Sequence, residues 1–135
     1  MNMDFKYKTV LLIDDSEMDN FINQKIMEST HFAKTIYVCT SGLSAMEFVR
    51  NLVIAGENKK EILPDIIFVD LNMPIRDGFT FIEDLKKEIK DEMPMPKIII
   101  LSSSVNPLDK KRAEEIGNDI VFLNKPLSGE VLEYL

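Results

Sequence analysis

Hydrophobic positions along the chain gather into five short runs: Val10–Ile13, Ile36–Val38, Ile66–Val69, Ile98–Leu101 and Ile120–Leu123. The runs are rich in β-branched residues and are continuous rather than alternating, the pattern of strands buried on both faces of a parallel sheet. Between them the spacing turns helical. Met18, Ile22 and Ile26 recur at i, i+4 and i+8 within 17–28, and Ala45, Phe48, Val49 and Leu52 form one stripe within 43–53. Asp77-Gly78 opens a third helix that carries Phe81, Ile82, Leu85 and Ile89 on one face. Asn106-Pro107 is an N-cap and first-turn pair for a fourth helix, which Gly117 is placed to end. A short fifth helix runs from Ser128 to the end, with Val131, Leu132 and Leu135 apolar.

A strand–helix pair repeated five times predicts an α/β fold, a three-layer doubly wound (βα)5 sandwich with right-handed helical crossovers. Residues 55–65 form the longest connection, read equally as a surface loop or a helix extension. The fourth helix has only Leu108, Ala113 and Ile116 as apolar anchors among many charges, which makes it a candidate for an element that a switch can bias.

Composition narrows the class. At 135 residues, 45% hydrophobic and 29% charged, the chain suits one globular domain, taken as residues 1–135. The net charge of −7 argues against non-specific nucleic-acid binding, and Lys110-Lys111-Arg112 is followed at once by Glu114-Glu115, as on a solvated helix face. No run approaches the length of a membrane span, and Met1 to Lys8 lacks the apolar core of a signal peptide. A lone cysteine, Cys39, cannot form an internal disulfide. A cytoplasmic protein is expected.

Ligands of open α/β sheets bind beyond the carboxyl ends of the strands. Here those ends carry Asp14-Asp15, Thr40-Ser41, Asp70, Ser102-Ser103-Ser104 and Asn124-Lys125-Pro126. If the second strand lies at the edge (order 2-1-3-4-5), the first and third are neighbours and their carboxylates share a pocket. Clustered aspartates repel unless a cation is present, and oxygen-only ligands suit Mg²⁺ better than zinc, for which the lone His31 and Cys39 supply no cluster. Either Asp14 or Asp15 alone could be a helix N-cap, but that leaves Asp70 and Lys125 at matching strand ends unexplained. Ser102 and Lys125 can donate to phosphoryl oxygens, so the set has what a carboxylate nucleophile needs.

Val10-Leu11-Leu12-Ile13-Asp14-Asp15, Asp70-Leu71-Asn72-Met73-Pro74 followed by Asp77-Gly78, the Ser102 strand end and Lys125-Pro126 together resemble the CheY-like receiver domain of bacterial two-component response regulators. The resemblance covers essentially the whole chain. It implies the flavodoxin-like parallel sheet with order 2-1-3-4-5, and Asp70 as acceptor of a phosphoryl group from a sensor histidine kinase or histidine phosphotransfer protein. It implies Mg²⁺ (Mn²⁺ possible) bound by Asp15, Asp70 and the Asn72 backbone carbonyl, with Asp14 acting through water. Ser102 and Lys125 would contact the phosphoryl oxygens, and Asn72 and Ser104 would tune dephosphorylation. The Lys125-Pro126 peptide is similar to one that is usually cis in the family.

Two positions are milder versions of the family pattern. Ser102 stands where threonine is frequent, and Phe122 stands where a tyrosine would offer a hydroxyl. A switch through coupled Ser102 and Phe122 movement is therefore expected to act without that hydrogen bond. The expected output is an altered face of fourth helix, fifth strand and last helix that meets an unknown protein target, with no direct nucleic acid or membrane partner. The molecule is expected to be a monomer or a phosphorylation-linked dimer, and a regulator that catalyses only its own phosphotransfer and dephosphorylation. With about ten residues after Lys125, a stand-alone receiver is preferred over a piece of a longer regulator. A flavodoxin-like electron carrier would need a hydroxyl- and glycine-rich phosphate loop where Asp14-Asp15-Ser16-Glu17 stands. A haloacid-dehalogenase-type phosphatase would need Asp-x-Asp after the first strand, which is also missing.

Overall fold

The computed structural model describes residues 4–56, 63–75, 77–89, 94–117 and 119–135. Five strands and five helices alternate: β1 (Tyr7–Ile13), α1 (Glu17–Ser29), β2 (Ala33–Cys39), α2 (Gly42–Ala55), β3 (Ile66–Val69), α3 (Gly78–Glu88), β4 (Lys97–Ser102), α4 (Pro107–Ile116), β5 (Val121–Asn124) and α5 (Gly129–Glu133). All strand pairs are parallel, in the order β2-β1-β3-β4-β5. This is the doubly wound sandwich that the alternating runs predict.

The period-2 geometry of a strand divides the core in two. Leu11, Ile13, Ile67, Val69, Ile98 and Ile100 face α2, α3 and the Ala113 side of α4. Val10, Leu12, Ile66, Phe68, Ile99 and Leu101 face Met27 of α1 and Leu132 of α5. Both sets are nearly inaccessible to water, which is why the runs of β1, β3 and β4 read as unbroken apolar sequence.

Three expectations need correction. The strands are not all buried on both faces: β2 leaves Tyr37 and Val38 exposed and β5 is only half-buried, because each has a neighbour on one side alone. The Met18–Ile22–Ile26 stripe is not the buried face of α1. Met18 is 72% exposed and Ile22 45%, while Asn20, Asn23 and Met27 point inward. That inversion has a physical cause, since α1 crosses the polar end of the sheet and Asn20 Nδ2 donates to the Asp14 carbonyl (2.8 Å). Leu108 is 67% exposed and anchors nothing, so Ala113 is the one buried residue of α4.

The helix signals are otherwise local and legible. Asp77 caps α3 by accepting from Thr80 N, and Asn106 caps α4 with Pro107 in its first turn. α1 is capped by Ser16, and neither Asp14 nor Asp15 has that role. α2 ends at Ala55 with Gly56 as its C-cap, and residues 57–62 of the long connection lie outside the described residues. Among the described residues no helix is long and apolar enough to cross a membrane.

Candidate functional site

Three backbone hydrogen bonds carry the ladder one step past the strand ends. Asp14 N donates to Cys39 O (3.2 Å), Asp70 N to Ile13 O (2.9 Å) and Lys125 N to Ser102 O (2.8 Å). The residues that follow β1, β3 and β5 thus extend the sheet's hydrogen bonding, and the Lys125-Pro126 peptide is cis. The start of α3 lies against β3 so closely that a Cβ on Gly78 would stand 2.5 Å from the Asp70 carbonyl oxygen. A glycine directly after the Asp77 cap, where a helix former would be ordinary, is the sequence signal for that approach.

Asp14 and Asp70 are buried and Asp15 is exposed, and their carboxylate oxygens can lie within 4.8 Å of one another. Lys125 Nζ donates to Asp14 Oδ2 (2.7 Å) and to Asp19 Oδ2 (2.9 Å), and stands 3.5 Å from Asp70 Oδ1. Asp14 Oδ1 also accepts from Ser16 N (2.9 Å). Burial, followed by the Asp14 charge, raises the Asp70 pKa, although the Lys125 ammonium and the Asn72 backbone N–H oppose the rise. Burial alone would lower the Lys125 pKa, but the Asp14, Asp19 and Asp70 carboxylates outweigh it and hold the pKa above that of an ordinary lysine.

Among the described residues the donor set is all oxygen, three carboxylates with the Lys125 ammonium beside them, which fits a hard divalent ion and offers nothing to a soft one. Burial of two of the carboxylates adds to the case, because an unbalanced buried charge is costly. Beneath them a cavity of about 10 Å³, the size of one water, is lined by Asn20, Asn23, Asp14 and Asp70 among others. Asn20 Oδ1 is buried there with no hydrogen-bond partner.

The other expected site residues lie toward β4 and β5. Ser102 ends β4, fully buried, and its Oγ accepts from Ser104 N (3.0 Å). The Ser104 hydroxyl donates to Asp109 Oδ2 in the first turn of α4, and Asn124 Nδ2 donates to Ser104 O (2.8 Å). Phe122 is half-buried against the core on the α2–α3 side, paired in register with Ile100. Asn72 is exposed in the β3–α3 connection. Sequence reasoning missed Asp19, whose place in a first helical turn is ordinary for an acidic residue. It also missed Asn20, which reads as a solvent-facing helix residue.

A doubly wound sheet with carboxylates at the ends of β1 and β3 and a lysine after β5 defines the class, and comparison with known proteins agrees. The family model for the response regulator receiver domain matches residues 10–134, and the chain belongs to that family. It is 32% identical over 121 residues to the chemotaxis protein CheY of Halobacterium salinarum, covering 88% of this chain and 85% of that protein. It is 35% identical over 124 residues to the sensor histidine kinase CheAY of Helicobacter pylori, covering 91% of this chain. The chain spans only 14% of CheAY and less than two thirds of several other curated relatives that it matches. A crystal structure of a two-component response regulator from Cytophaga hutchinsonii superposes with a TM-score of 0.82 at 33% identity, covering 96% of this chain and 93% of that one.

Proposed function

We propose that this response regulator receiver is a phospho-acceptor switch in a two-component phosphorelay, with Asp70 as the acceptor. The observation that carries the reading is the buried Asp70 carboxylate, 3.5 Å from the Lys125 ammonium and in one cluster with Asp14 and Asp15. A carboxylate Oδ of Asp70 attacks the phosphorus of a phosphohistidine on a sensor kinase or phosphotransfer protein. A P–O bond forms as the P–N bond breaks, and the imidazole leaves with its electron pair and takes up a proton from solvent. Asp15, Asp70 and the Asn72 carbonyl, with Asp14 in support, would hold Mg²⁺, which would supply charge neutralisation for the phosphoryl oxygens. Lys125 and the Ser102 hydroxyl donate to those same oxygens.

The test is incubation with Mg²⁺ and acetyl phosphate, followed by intact mass. One added phosphoryl group is expected, absent in Asp70→Asn and in EDTA. A folded protein that gains none under these conditions overturns the reading. The output face is the second part of the proposal. α4 buries only Ala113 and β5 is half-buried, and phosphorylation at Asp70 alters the face that they form with α5 for a protein target. Amide exchange over residues 105–135 that is unchanged by phosphorylation would sink that part.

A further inference from the structure

Lys125 faces Asp70 across the pocket, yet its ammonium is nearer to two other carboxylates. Asp14 Oδ2 at 2.7 Å and Asp19 Oδ2 at 2.9 Å both lie on the β1–α1 side, against 3.5 Å for Asp70 Oδ1. Asp19 is itself fixed, because its backbone N–H donates to the N-cap Ser16 Oγ (3.2 Å) and the first turn of α1 sets where its side chain emerges. An ammonium has three protons, and two of them are committed to carboxylates other than the phosphoacceptor.

We propose that Asp19 is a positioning residue that holds Lys125 on the α1 side of the pocket at rest, leaves one ammonium proton toward Asp70, and slows the movement by which the ammonium closes on a phosphoryl group there. The proposal rests on the reading of Asp70 as the acceptor. Asp19 is the partner to be released because the two carboxylates differ in burial. The Asp14 side chain is 7% exposed, so losing Lys125 would leave a charge stranded away from water. The Asp19 side chain is 40% exposed, so solvent takes over its lost hydrogen bond at small cost. Lys125 therefore pivots about Asp14, leaving Asp19 and closing on the phosphoryl oxygen. The receiver carries a built-in resistance to phosphorylation whose size depends on the Asp19 charge.

Phosphoryl uptake from acetyl phosphate in Mg²⁺, followed by mass at varied donor concentration, separates this role from simple charge repulsion. Asp19→Asn is expected to react roughly two- to fivefold faster at saturating donor, while Asp19→Glu, which restores the charge, reacts near the original rate. In a Lys125→Ala background Asp19→Asn should give no acceleration. An effect on KM alone, or the same acceleration without Lys125, assigns Asp19 to long-range repulsion of the anionic donor and overturns the proposal.

A second measurement needs neither donor nor metal. Exchange of the Lys125 side-chain ammonium protons, read by ¹⁵N NMR, is expected to quicken in Asp19→Asn, and unchanged exchange overturns the proposal as well. Uptake by all variants at one rate removes the role of Asp19 and leaves Asp70 standing. No uptake by the unaltered protein is instead the failure of the Asp70 reading, and takes the gating role with it.

Discussion

The two halves of the pocket are built to different standards. Asp14 and Asp70 each follow four consecutive buried side chains, Val10–Ile13 and Ile66–Val69, and the sheet ladder continues through their own backbone N–H groups. On the other side, β5 is a half-buried edge and α4 buries only Ala113. α4 is held instead by polar and ring contacts. Arg112 lies 4.3 Å over the Phe79 ring, Lys86 Nζ donates to Ile116 O (2.8 Å), and Ser104 bonds Asp109. The half that carries the carboxylates is expected to resist displacement, and the half that carries the proposed output to move at lower cost. A phosphoryl switch needs both properties in one small domain.

The largest effect that can test this contrast is on packing. Leu85→Ala in α3 removes a fully buried side chain and is expected to cost about 2–5 kcal/mol. Leu108→Ala in α4 should stay within about 0.5 kcal/mol of the unaltered protein. Urea denaturation of both variants measures the difference, and comparable losses would mean that α4 is anchored after all. Next in size is the close approach at α3. The methyl of Gly78→Ala meets backbone and not a flexible side chain, so about 1–3 kcal/mol of stability should be lost. Slower phosphoryl uptake should accompany it, because Asp70 is displaced.

A substitution at the acceptor should act in the opposite direction. Burial and the Asp14 charge hold the Asp70 pKa above that of an unfolded aspartate. The folded chain therefore binds this proton more tightly than the unfolded chain, and stability falls as pH rises from the ordinary aspartate pKa through the raised one. At pH 7 the ionised carboxylate is a net cost. Asp70→Asn removes it while Lys125 keeps Asp14 and Asp19, so a gain of about 0.5–2 kcal/mol is expected. Thermal melts from pH 3 to 8 should show little difference between the two proteins at the acid end and a growing advantage of the variant as pH rises past the ordinary aspartate pKa. A variant that melts lower at pH 7 would show that Lys125 depends on Asp70.

How far the chain could be read before its structure follows the same division. β1, β3 and β4 were legible because burial on both faces leaves an unbroken apolar run. The strand-end positions of Asp14 and Asp70 followed from those runs. β2 and β5 were legible only as cores, since an edge strand tolerates exposed residues such as Tyr37 and Val38. On α1 the apolar period pointed to the wrong face, because the residues that pack beside a polar pocket are themselves polar, as Asn20 and Asn23 are. Asp19 escaped for a different reason. Its contact with Lys125 joins residues 106 positions apart and leaves no local pattern in either segment.

The smallest effect bears most directly on how the two halves communicate. Ser104 is the link between them. Its N–H donates to Ser102 Oγ at the end of β4, and its hydroxyl donates to Asp109 in the first turn of α4 while accepting from Asn106 N (3.2 Å). Ser104→Ala keeps the backbone bond to Ser102 and removes both side-chain bonds, so about 0.5–1.5 kcal/mol should be lost. The loss should be confined to one side. Amides of residues 108–112 are expected to exchange faster, and those of β1 and β3 at their original rates. Faster exchange in β1 as well would mean that the α4 half is not an independent unit. Faster exchange in α4 alone would make the bonds of Ser104 a measurable share of what a movement of Ser102 has to overcome.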